Sequence, residues 1–204
     1  MLKKTKLAIG LVVALSAMAV AASSAFALSA SVSAGGAVSA TATATFEGSG
    51  ISIICPLTMR ESLLTGPIVI AANNQIGEVT EVSINRARCS GGNVSGVLGL
   101  PWRLTINSWT PEPLERENAR TLLVNIVGSA FNLEIFGGFV NCLYSGNAGG
   151  SLPLTRIGTG RYTARTIEAL SSIELPLHSG SGCPARGHFA GTFTLSATQT
   201  VTLA

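Results

Sequence analysis

The chain has 204 residues, 47% of them hydrophobic, 11% charged and 5% aromatic, with 23 glycines and 4 cysteines. All three lysines fall within the first six positions, aspartate is absent, and ten arginines balance ten glutamates. Beyond its start the chain is therefore neutral, and it has no field to gather nucleic acid or an anionic membrane; both are excluded as partners.

Residues 1–27 read as a signal peptide. Lys3, Lys4 and Lys6 precede an apolar run over 7–22, and Ala25-Phe26-Ala27 supplies the small residues of a cleavage site. That run is shorter than the ~20 residues that span a bilayer, and no charged stop follows it, so cleavage after Ala27 is favoured over a retained anchor. A membrane is then met only during export. Residues 28–39 are small, polar and uncharged, and read as a flexible leader. The rest, 40–204, is one domain's worth of chain.

From Ala40 a strand emerges, with Ala40, Ala42, Ala44 and Phe46 alternating with Thr41, Thr43 and Thr45. Gly48-Ser49-Gly50 turns it into an apolar strand over 51–59, in which Pro56 argues for an edge or a bulge. A short buried run covers 68–71, and a less regular strand covers 76–89. Trp102, Leu104 and Ile106 alternate with Arg103, Thr105 and Asn107. Residues 111–120 form the one charge-dense loop. Leu122, Val124 and Ile126, then Phe131, Leu133 and Ile135, predict a hairpin turned at Gly128-Ser129. A strand over 139–144, a Gly-rich loop over 147–151, a pair at 152–157 and 162–166, and a strand at 172–177 follow. The alternation over 189–203 is the longest, with Phe189, Phe193, Leu195, Gln199, Val201 and Leu203 on one side and threonines on the other. Roughly ten short strands with regular turn signals predict an all-β domain, an antiparallel sandwich or a partly closed barrel. No repeat of fixed period supports a solenoid or propeller.

Cys55, Cys89, Cys142 and Cys183 remain after cleavage. An even count in an exported chain predicts two disulfides, with three connectivities open. Cys55–Cys89 with Cys142–Cys183 is favoured, because sequential strands are usually neighbours. Each bridge closes a loop of about 35 to 42 residues, worth about 3 to 4 kcal/mol in the chain-entropy model.

Inventory excludes several chemistries. Without lysine beyond residue 27 there is no phosphate-binding P-loop, and without aspartate no Ser-His-Asp triad or EF-hand calcium loop. Leu152-Pro153-Leu154-Thr155-Arg156 has Arg where a cell-wall sorting signal requires Gly, and it lies mid-chain. His178, Cys183 and His188 could hold a metal only if Cys183 were a free thiolate, and disulfide bonding removes it. Glycoside hydrolysis needs paired carboxylates. Glu112, Glu115 and Glu117 crowd the charged loop with Arg116 and Arg120, while Glu47, Glu134 and Glu174 fall on outer strand faces. Trp102 has core parity. Trp109 has the opposite parity and is the candidate contact residue. The threonine rows suggest ordered water, as on ice-binding surfaces, but lack a repeating scaffold. An outer-membrane barrel would also follow a signal peptide, yet the aromatics are too few for two girdles.

The fragments Cys89-Ser90-Gly91-Gly92, Leu100-Pro101-Trp102 and Gly187-His188-Phe189-Ala190-Gly191-Thr192-Phe193-Thr194-Leu195 resemble a group of uncharacterised exported all-β proteins of GC-rich Gram-positive bacteria. The resemblance covers most of the exported chain. It implies export, two disulfides and a β fold, and carries over no activity. The expectation is thus a secreted or cell-surface structural or binding module of unknown extracellular ligand, without catalysis or cofactor. A Glu-based secreted hydrolase and an outer-membrane barrel are the alternatives.

Overall fold

Because alternate residues along these strands are apolar, each strand has one face to hide, and a sheet closed on itself hides all of them together. The computed structural model describes residues 28–33, 36–48, 50–111, 115–169 and 174–204, so the signal segment lies outside the described residues. Among the described residues there are thirteen strands: β1 (Ser29–Ser33), β2 (Gly36–Gly48), β3 (Ile51–Leu63), β4 (Pro67–Val69), β5 (Gln75–Ile84), β6 (Asn93–Leu98), β7 (Trp102–Thr110), β8 (Thr121–Ile135), β9 (Val140–Pro153), β10 (Thr155–Gly158), β11 (Arg161–Ala169), β12 (Glu174–Ser179) and β13 (Arg186–Leu203).

Eight of them close an antiparallel barrel in the order β13-β2-β3-β5-β7-β8-β9-β11 and back to β13. β12 follows β11 into the same gap and pairs with both β9 and β13 further along. β1 continues the line of β2 along β13 and pairs with β4, and Ala30, Val32 and Ile68 of these two strands face the interior. β6 pairs with β8, and β10 with β11. The open choice between sandwich and barrel is settled as a closed barrel, whose ring leaves no free edge.

Several local expectations are corrected. Residues 28–39 are not a flexible leader where they are described, since they supply β1 and the start of β2, tied down by β13 and β3. Gly128-Ser129 does not turn a hairpin. β8 runs through it, with a break in register between Ile126 and Ser129 opposite β9. A bulge changes which parity faces inward, as a turn does, so one long strand reads as two. The hairpin is instead made by β8 and β9 around Phe136–Gly138. The Gly-rich stretch 147–151 is not a loop but part of β9. There a Cβ on Gly150 would stand 3.2 Å from Ile167 Cγ2, so glycine lets β11 close on β9. Pro56, in contrast, sits where β3 has a ladder partner on one side only, a local edge as expected. It lies just beyond the β3–β5 ladder, where its carbonyl accepts from Asn85 N–H at the 3-10 turn Arg86–Arg88 and no ladder donor is required.

The interior has two parts. The larger is built on Phe46, Phe131, Phe189 and Trp102, with ring centroids 5.0 to 5.2 Å apart around Phe131. Such pairs add about 0.5–1.5 kcal/mol each beyond their burial. The disulfides Cys55–Cys89 and Cys142–Cys183 belong to this part, across sequence separations of 34 and 41. Their formation fits an oxidising, extracellular type of compartment. The smaller part groups Ile70, Ile106, Ala119, Tyr162, Val201 and Leu203.

Candidate functional site

Between the two parts the barrel is not filled. A largely enclosed cavity of about 80 Å³ remains, walled by Leu104 and Ile106 of β7, Val124 of β8, Ile167 of β11, and Leu195 and Val201 of β13, among others. Ile70 and Ala119, from the connections after β4 and β7, also line it. The second connection is the charged segment 111–120. It is held down by Tyr162, whose hydroxyl donates to the Arg116 carbonyl at 2.8 Å, and by an Arg156–Glu117 ion pair. At ~24 cal/mol per Å³, an unfilled space of this size costs about 2 kcal/mol of packing.

Four polar side chains line this apolar space: Thr121 of β8, and three more from β3, β13 and β7 that have open groups. Glu61 is inward on β3, following Ile53, Cys55, Leu57 and Met59 on the same parity, and is only 4% exposed. Among the described residues no hydrogen bond or ion pair reaches its carboxyl. Burial alone pushes its pKa up from 4.5 to about 7, because water no longer solvates the charged form. Gln199 of β13 is 3% exposed; its Nε2 donates to the Ala197 carbonyl at 3.0 Å, and its Oε1 has no partner. Trp109 of β7 has a buried indole N–H without an acceptor. Buried polar groups are normally satisfied, so three open ones around one cavity require an explanation.

Trp109 was expected to present a contact face to solvent. The structure places it half-buried and lining the cavity. The reason is a break in register on β7 between Ile106 and Ser108, which reverses parity after Asn107. Glu61 was missed because the strand was read only as far as Met59; two more residues in the same alternation reach it. Gln199 stood visibly on the apolar side of the last strand, the one polar member of that row with a long side chain.

The other candidates do not gather here. Cys183 is bonded to Cys142, so its sulfur cannot join His178 and His188 as a thiolate. Glu115 and Glu117 are exposed, Glu112 lies outside the described residues, and among the described residues Glu61 is the one carboxylate lining the cavity. Glu47, Glu134 and Glu174 stay on outer faces. The outer wall of β2, β3 and β13 carries Ser, Thr, Glu and Arg in alternation, while the inside is apolar. That sidedness is the reverse of a transmembrane barrel.

Fold and site together define a closed antiparallel barrel with an internal, mostly apolar cavity. No known protein family, curated protein or solved structure matches the chain.

Proposed function

We propose that the chain is an exported binding module that holds a small, largely apolar molecule inside its barrel, without catalysis. The observation that carries this reading is the cavity itself, an apolar space walled by strands from around the whole barrel with open polar groups on its wall. Ligand sites are concave and mostly apolar, with a few polar groups that fix orientation. An empty apolar cavity sacrifices packing, and a bound hydrocarbon restores it. The neutral hydroxyl surface and two disulfides suit a stable carrier outside the cell or at its surface.

The test is titration of the oxidised exported chain with xenon, an apolar probe small enough for the cavity, followed by its NMR shift. A saturable, one-to-one shift is expected, and Ala164→Leu, which projects into the cavity, should abolish it. A shift that is absent, or indifferent to Ala164→Leu, overturns the reading.

A further inference from the structure

Resting on that reading, the geometry points to the class of ligand: we propose an amphiphile with a cationic amine head, its ammonium taken by the Glu61 carboxylate and Gln199 Oε1 and its hydrocarbon body laid along the cavity wall. Glu61 and Gln199 stand on β3 and β13, separated in the ring only by β2. Glu61 pairs with Val38 of β2, and the β2–β13 register carries Val38 to the level of Ala197, two residues before Gln199. At ~4.8 Å per strand and ~3.3 Å per residue their backbones are about 12 Å apart. Both side chains line the one cavity, and the Gln199 amide turns back toward Ala197, the level of Glu61, so the two bracket one head group.

The chemistry follows from which sites are open. Glu61 offers two acceptor oxygens when ionised and Gln199 offers its unpartnered Oε1, while one of the two Nε2 hydrogens of Gln199 is already given to the Ala197 carbonyl. Open acceptors require donors. A protonated amine brings three and also supplies the counter-charge that Glu61 lacks in the protein. A fatty acid would place a second carboxylate beside the first, and an alcohol would satisfy one acceptor without neutralising charge. Trp109 stands on β7, opposite β13 in the ring, and its N–H is free for an oxygen on the body of the ligand.

The facing groups make the site responsive to proton concentration. On the strands flanking Glu61 its direct partners are Val38 and Val79, both apolar. Among the described residues, no second ionisable side chain from β1, β4, β5, β7, β8, β9, β11 or β13 lines the cavity. Ammonium binding therefore depends on Glu61 alone, and it weakens as that carboxyl takes up a proton.

The experiment displaces xenon with propylamine, propan-1-ol and propanoic acid at pH 8 and pH 5, using the wild type, Glu61→Gln and Gln199→Leu. At pH 8 propylamine should displace xenon at about tenfold lower concentration than propanol, as expected of a charge-assisted hydrogen bond, with propanoic acid weakest. That advantage should shrink at pH 5 and in Glu61→Gln, and fall partly in Gln199→Leu, while all three proteins still bind xenon. Propylamine no better than propanol, or equally favoured in Glu61→Gln, overturns the amine assignment and leaves the carrier reading standing. Failure of xenon to bind any of the proteins overturns both.

Discussion

Trp102 and Trp109 lie on the same strand yet belong to different environments. Trp102 is 1% exposed and its indole N–H donates to the Leu98 carbonyl at 2.7 Å, within the packed aromatic half of the barrel. Trp109 is half-buried, and its N–H meets nothing. The same contrast holds for the two halves as wholes. Around Phe131 every ring has a neighbour and both disulfides close the wall; around Glu61 there is space, a lone carboxyl and open amide and indole groups. The first half holds the fold together. The second gives up stability for an interior that can be occupied.

The largest effect that would sharpen this contrast is Phe131→Ala. It removes the ring at the centre of the packed half and should cost about 3–5 kcal/mol of unfolding free energy in urea titration. A loss as small as that of a surface change would mean the aromatic half is not the mechanical core.

Next in size is the response of Glu61 to pH. Its folded pKa, about 7, lies above the ordinary 4.5, so between those values the folded state holds the proton more tightly than the unfolded one. Stability should therefore fall as pH rises from 4.5 through 7 and level off above that. At about 1.4 kcal/mol per unit the ionised side chain costs up to about 3 kcal/mol. Glu61→Leu should thus be more stable than wild type at pH 8 and close to it at pH 4. Equal stability profiles for the two proteins would show that the carboxyl is solvated after all.

Matched enlargements compare the halves directly. Ala44→Leu, in the packed half, has no room and should lose about 1–3 kcal/mol or more. Ala164→Leu enters the cavity and should stay within about 1 kcal/mol of wild type, because the added carbons fill existing space. If both cost the same, the cavity is no easier to fill than the core. The smallest effect belongs to the tip of the β8–β9 hairpin, where Phe139 is 92% exposed. Phe139→Ser should change thermal stability by no more than about 0.5 kcal/mol.

Composition and alternation determined much of this protein. The period of two, the turn residues and an even cysteine count were sufficient for an all-β fold and two disulfides; of the three open connectivities, the structure has the favoured one, Cys55–Cys89 with Cys142–Cys183. These are local signals, set by which side chains avoid water and by the tendency of neighbouring strands to pair. Register breaks were not legible in the same way. Those at Gly128 and Asn107 reverse parity in mid-strand; in sequence the first imitates a turn, and the second makes Trp109 look solvent-facing. Closure itself depends on β13 meeting β11 as well as β2, a contact between distant stretches that no local pattern encodes. Only that closure brings Glu61, Gln199 and Trp109 around one space, since a buried polar group is defined by what surrounds it in three dimensions.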